Sequence, residues 1–402
     1  MFEGRKRNVK NLLVVRIILV IGIVLVVVLV MLFAASGILL NPKYLAPWNK
    51  NYALQFTDPR ISLVAYGELA ANGHNMQPWV IKLDPTNPMV FYLYADSTRL
   101  TPEVDPYARQ TMITQGTFLE YVQVGGEKLG YATDIKLFPD GNYDEQNLMT
   151  SMNTMPVAKI TLTKVASTNS PLFDDMFLPD TNRDPYQTTH LTTAQITRLE
   201  VINNDPDLTI QFYQDSNDLT TLGNFVMAGA KIESGIHRIN VESAGVFRAN
   251  EYQKNQYRYG FSLEGQDYSG ILKQLMQGLI TIIPAFNNEK TTASLFVSST
   301  QKAVDHTPAY AMIITKDNSR VEQVEAGMFY SRLVLTAHSM GFVMQPPSQV
   351  LEEYPEMAAQ HAAIQAEYAP DGGTIQMFIR LGEPTKNALR TMREDVTELI
   401  KN

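Results

Sequence analysis

The sequence predicts an α+β protein held to a membrane by one helix, and three observations lead there. Residues 17–40 form an apolar run without a charge, and the rest of the chain interleaves helix-period stretches with strand-like runs. The third is composition: 402 residues with 45% hydrophobic side chains, no cysteine and a formal charge of −8 can bury a large core without disulfides. The missing cysteine also removes zinc fingers, iron–sulfur clusters and thiol catalysis. An acidic balance without a basic block argues against nucleic-acid binding, which needs clustered Lys and Arg.

Taken in order, Ile17 through Leu40 would reach roughly 36 Å as a helix, enough to cross the ~30 Å hydrocarbon core. Arg5, Lys6, Arg7, Lys10 and Arg16 precede it and only Lys43 and Lys50 follow closely. The excess of positive charge on that side predicts a single-pass protein with its N-terminus in the cytoplasm and its main domain outside. A cleaved signal peptide, processed at Ala34-Ala35-Ser36, is the alternative, but the run exceeds the usual ~7–15 residue apolar region of such peptides. Asn41-Pro42 is expected to end the span, and Pro47-Trp48 reads as an interfacial aromatic with a turn. The expected organisation is therefore residues 1–45 as tail and anchor, 46–165 as a first half and 166–402 as a second.

The first half opens on a helix through Leu63, Val64, Tyr66 and Leu69, stopped by Asn72-Gly73, and then Pro78 opens a strand, Trp79 to Leu83. Met89 to Tyr94 is a second strand across the turn Asp84-Pro85-Thr86-Asn87-Pro88, so the two predict a hairpin. Arg109 through Leu129 reads as a buried helix in which Gly116, Gly125 and Gly126 imply close neighbours, since glycine inside a helix costs about 1 kcal/mol. Ala132 to Phe138 and Val157 to Leu162 add strands around a polar loop, 140–147, whose acidic residues do not match a calcium loop. In the second half, Asn224 to Phe247 and Val321 to Met340 read as helices and Tyr310 to Ile314 as a buried strand. Paired prolines predict that 341–349 runs extended.

Chemistry concentrates at Ala70-Ala71-Asn72-Gly73-His74-Asn75-Met76-Gln77-Pro78-Trp79, where an imidazole, two amides and an indole share one helix-to-strand turn. Amides there can donate and accept in one plane, which suits a flat heteroaromatic ring. A turn whose Asn and His cap the helix and whose Trp fills the core accounts for the same residues. No G-x-S-x-G elbow, G-x-G-x-x-G loop, P-loop or H-E-x-x-H helix occurs, and six scattered His have no ligand-like spacing, so no metal site is expected.

The run His74-Asn75-Met76-Gln77-Pro78-Trp79, with Asp96-Ser97-Thr98-Arg99, Asp105-Pro106-Tyr107-Ala108-Arg109 and Gly116, resembles the nitroreductase-like FMN proteins, and within them the Acg-like branch. The resemblance implies the α+β nitroreductase fold with two units fused in one chain, a pseudo-dimeric monomer, and FMN between the units. On the same footing, Thr181-Asn182-Arg183-Asp184-Pro185-Tyr186 looks like the basic motif that grips the FMN phosphate, although Asp184 stands where many relatives carry basic or neutral residues. An Arg before a helix start can hold a phosphate bidentately. Met344, Gln345 and Pro346 would run beside the flavin ring, and Arg390 and Arg393 would add phosphate contacts. Tyr257 to Gly265 and the apolar run Ile271 to Ile283 resemble the branch's middle segment, serving either helix packing or a lid. His338 is expected as a core or interface histidine rather than a catalyst.

The implied cofactor-binding set is thus His74, Asn75, Gln77, Arg183, Met344, Gln345, Pro346, Arg390 and Arg393, around one FMN per chain and with no catalytic side chain. The implied activity is hydride or electron transfer through flavin N5, with NAD(P)H or a membrane quinol as donor. The alternative is a protein that holds FMN without turnover.

Overall fold

The computed structural model describes residues 2–168, 170–266 and 268–401, with side chains from residue 11 onward, so the basic side chains of Arg5, Lys6, Arg7 and Lys10 lie outside it. Helix α1 (Phe2–Ser36) contains one stretch, Asn11–Ser36, long and apolar enough to cross a membrane. It ends earlier than Asn41-Pro42. Gly37 turns left-handed at φ 76, where a Cβ would stand 3.0 Å from Glu251, so the chain is bent away by the helix packed against it.

The remainder is built twice on one plan. The first pass runs α2 (Pro59–Gly67), β1 (Trp79–Leu83), β2 (Val90–Ala95), α3 (Arg109–Leu129), β3 (Tyr131–Leu137), α4 (Leu148–Thr154) and β4 (Ala158–Lys164). The second runs α5 (Thr193–Glu200), β5 (Leu208–Tyr213), an insertion, β6 (Ala309–Thr315), α11 (Arg320–Ser339), β7 (Val343–Gln345), α12 (Ala358–Tyr368) and β8 (Thr374–Gly382). Each forms a four-stranded antiparallel sheet, in the orders β1-β2-β4-β3 and β5-β6-β8-β7, which are the same permutation. The difference lies between the first two strands of each. A short turn joins β1 to β2, whereas five helices join β5 to β6: α6 (Ser216–Ser234), α7 (His237–Gly245), α8 (Glu251–Tyr257), α9 (Gly270–Ile282) and α10 (Glu289–Val304).

The expected hairpin forms in register from Trp79 opposite Ala95 to Leu83 opposite Phe91. The helix expected over 224–247 is two helices, α6 and α7, because the chain leaves the helix at Gly235. The extended run predicted after Gly341 ends at Gln345, and Ser348–Leu351 coils into a short 3-10 turn.

The two units meet through α3 and α11, each covering its own sheet and facing the other. Their backbones touch. A Cβ on Gly116 would stand 1.8 Å from the Val324 carbonyl oxygen, and one on Gly327 would stand 1.9 Å from that of Ile113. Only glycine allows this approach, which is why α3 tolerates glycine in its interior. Val324 and Leu335 of α11 join the first unit's core. The chain also crosses back at its far end: α13 (Val396–Leu399) packs on α2 and β1, Ile400 bridges Ile81 in parallel, and the Lys401 N–H donates to the Ile81 carbonyl at 2.8 Å. The outer edge of β1 is thereby covered by residues that follow the second unit.

Candidate functional site

The turn from Asn72 to Gln77 leaves α2 and feeds β1 in a contour that few side chains favour. His74, Asn75 and Gln77 all adopt left-handed backbone, at φ 50, 54 and 51. Non-glycine residues in that region cost of order 1–3 kcal/mol each and persist where surrounding contacts over-determine them. Here the contacts come from the second unit and its insertion. Asn75 Nδ2 donates to the Gly260 and Met392 carbonyls at 2.9 and 3.1 Å, and the Gly260 N–H returns a bond to the Asn75 carbonyl at 2.8 Å. Gln77, only 1% exposed, donates from Nε2 to the Arg258 carbonyl at 2.9 Å and accepts at Oε1 from the Glu394 N–H.

Arg393 braces the same turn. Its Nη atoms reach Asn75 Oδ1 at 2.9 Å and the Leu69, Ala70 and Met392 carbonyls at 2.7–3.1 Å, while its plane lies 4.7 Å over the Trp48 ring. Burial pushes this guanidinium down to about 10, against the pull of Asp180 and Glu68, so it is charged at neutral pH. Arg393 is thus a buried strut under the turn rather than a phosphate contact. Arg390 is exposed, donates to the Phe177 carbonyl at 3.1 Å and does not join the turn.

Arg183 comes to the same seam from the second unit. Its Nη1 donates to the Gly265 carbonyl at 3.1 Å, and its charge acts on His74, whose imidazole is pushed down to about 4 by burial and then by Arg183. His74 is therefore neutral at pH 7, with its ring 6.3 Å from Phe261. Met344 is buried and its carbonyl accepts from the Asn182 N–H at 2.8 Å, which ties the 344–346 strand end to the Arg183 loop. Asp184 pairs with Lys386 at 2.7 Å. His338 is buried, as expected of a core histidine.

Sequence reasoning passed over Asp180 as a seam residue. It is buried, accepts from the Ala71 N–H at 2.8 Å and from Tyr121 Oη, and burial raises its carboxyl to about 6. Tyr330 and Arg380 were also missed, because each sits inside an apolar helix or strand pattern that signals only core.

The residues suit FMN in kind, while the room beside the turn is small. Near the Arg183 loop lie buried polar atoms that have no partner among the described residues, Tyr330 Oη and Gln345 Oε1, while the Arg380 guanidinium stacks 3.8 Å from the Tyr186 ring. Unpartnered buried polar atoms are costly and need a reason, and a polar ligand is one. The amides of Asn75 and Gln77 are covered instead, by the carbonyls of Arg258, Gly260 and Met392. The cavity beside the turn, lined by Gly73, Pro78 and Arg99 among others, holds about 10 Å³, the room of one water.

No known protein family's sequence profile matches the chain, and no curated protein does. Among solved structures it is similar to the FMN-dependent nitroreductase NfnB from Mycobacterium smegmatis, solved in complex with NADPH, at 12% identity and a TM-score of 0.32 over 54% of this chain and 91% of that one. It is similar also to a nitroreductase-like family protein from Bacillus cereus, at 11% identity and a TM-score of 0.31 over 59% of this chain and 98% of that one.

Proposed function

We propose that this chain is a membrane-anchored, FMN-dependent oxidoreductase of the nitroreductase class, of the Acg-like kind in which fused units share one flavin. His74, Asn75 and Gln77 would hold the ring, Arg183 the phosphate, and the 344–346 strand end would flank the reactive edge. One observation carries the reading: His74 of the first unit lies in the field of Arg183 of the second, and the strained turn's two amides and Arg183 all bond to the one segment from Arg258 to Gly265, near polar atoms without a partner among the described residues. When bound, FMN supplies two-electron transfer at N5. The chain's own residues bind, orient and exclude water, and neutral His74 can donate or accept one hydrogen bond there without adding charge. With α1 as anchor and the basic flank inside, the domain faces away from cytoplasmic NAD(P)H, which favours a membrane quinol or a reduced flavin as donor.

A second reading, FMN held without turnover, draws on the segment from Arg258 to Gly265 that lies across Asn75, Gln77 and Arg183. Absorbance of the purified full-length protein tests both. Flavin bands, retained or gained on adding FMN, support the proposal, and their absence after reconstitution overturns it. Anaerobic bleaching by a quinol or NAD(P)H identifies an oxidoreductase, whereas bleaching by dithionite alone favours a holding protein or another donor. Arg183→Ala should weaken FMN retention by about 1.5–3 kcal/mol, the worth of a charged hydrogen bond; retention equal to the parent protein's would remove Arg183 from the site.

A further inference from the structure

Helix α9 carries apolar side chains that the protein does not cover. Ile271 and Leu272 at its start are 69% and 58% exposed, Ile282 at its end is 48% exposed, and Phe286 in the following turn is 54% exposed. Its other side is fixed. Lys273 reaches Glu251 at 3.1 Å and Glu264 at 2.9 Å, and these carboxylates also hold the fully buried Lys254, whose Nζ donates to Tyr44 Oη. The two lysines and two glutamates cancel in charge and weld α9, α8 and the segment after α1 into one block.

That block sits against the anchor. A Cβ on Gly278 would stand 2.2 Å from the Leu32 carbonyl oxygen, so α9 and α1 pack in backbone contact, and Tyr252 Oη donates to the Ala34 carbonyl at 3.3 Å. Leu32 precedes the end of the Asn11–Ser36 span by four residues, roughly 6 Å at the helical rise. Interfacial amphipathic helices seat their apolar faces about 5–10 Å into the headgroup and acyl boundary. Leu39, just past the span, is 96% exposed and extends the same apolar surface.

We propose that α9 is a second membrane contact, a helix whose Ile271, Leu272, Ile282 and Phe286 enter the leaflet at the Ser36 end of α1. Lipid is the occupant because the surface is continuous with the uncovered apolar side chains of the span itself. The domain is then held against the bilayer at two places and cannot swing on a flexible stalk. The inference rests on α1 being an uncleaved span, and the test separates the two claims.

The chain has no cysteine, so single cysteines report cleanly. Leu272→Cys, Ile282→Cys and Phe286→Cys are labelled with a fluorophore in the full-length protein reconstituted in phosphatidylcholine vesicles. Val24→Cys serves as the reference inside the span, and Met149→Cys and Val201→Cys as exposed references in the two units. Lipid-borne nitroxide should quench the α9 labels nearly as strongly as Val24 and several-fold more than the two exposed references. Quenching of the α9 labels by aqueous iodide, with Val24 still quenched from the lipid, overturns the inference and leaves the anchor standing. Protection from both quenchers also overturns it, in favour of a second copy of the chain on this face. Iodide access at Val24 would remove the anchor itself.

Discussion

Asp180 is the carboxylate that both units share. It stands in the second unit yet accepts its hydrogen bonds from Ala71 and Tyr121 of the first. Burial raises its folded-state value from 3.8 to about 6, so the folded protein binds a proton there more tightly than the unfolded chain does. The stabilisation from protonating it is complete below pH ~3.8 and is lost as pH rises through about 6, a change on the order of 2–3 kcal/mol. Asp180→Asn should flatten that part of the stability profile between pH 4 and 7, which urea unfolding at several pH values would show; a profile parallel to the parent's would mean that Asp180 does not titrate as described. His74, Asn75 and Gln77 were visible in the sequence because three hydrogen-bonding side chains crowd one turn. Asp180 was not, because a lone Asp beside Thr181 looks like any loop acid, and its buried partner Tyr121 lies in a helix that reads as core. The strut role of Arg393 was hidden for the same reason: only the folded chain brings it beneath residues 69–75.

At the scale of elements, the α3–α11 crossing is set by two glycines that face each other's helix backbone. Gly327→Ala should drive α11 off Ile113, with a cost at or above the ~1–3 kcal/mol of ordinary overpacking, read as a fall in melting temperature. Gly141→Ala, in open space at φ +100, is the contrast: it carries the backbone cost of a left-handed alanine without any clash at the crossing. A Gly327→Ala protein as stable as the parent would mean the helices do not touch as described. Helices and strands were legible where periodicity ran uninterrupted, as in α3, β6 and α11. Boundaries were lost where a distant neighbour decides them. Residues 38–40 are apolar enough to continue the span, but α8 presses on Gly37 and the helix stops at Ser36. A single helix over 224–247 suits the apolar pattern, yet Gly235 divides it. The insertion's site on the fold, between the first two strands of the second unit, has no local signal at all, since it shows only when the two sheets are laid side by side.

For the whole molecule, the repeated strand order gives one chain two like units, joined to each other through α3 and α11. The far end reinforces this, because Met392 to Glu394 grip Asn75 and Gln77 while Ile400 and Lys401 lie along β1. Removing residues 392–401 should therefore loosen the first unit, although the deleted residues follow the second. Hydrogen exchange of the amides of residues 73–83 is expected to quicken by orders of magnitude relative to β6; equal protection in both sheets would refute the coupling. The same clasp orders events during synthesis. The first sheet leaves the ribosome early, but the outer edge of β1 stays open and the amide turn lacks its Met392, Arg393 and Glu394 contacts until residues 392–401 have been made. The half that is born first is the half that is finished last.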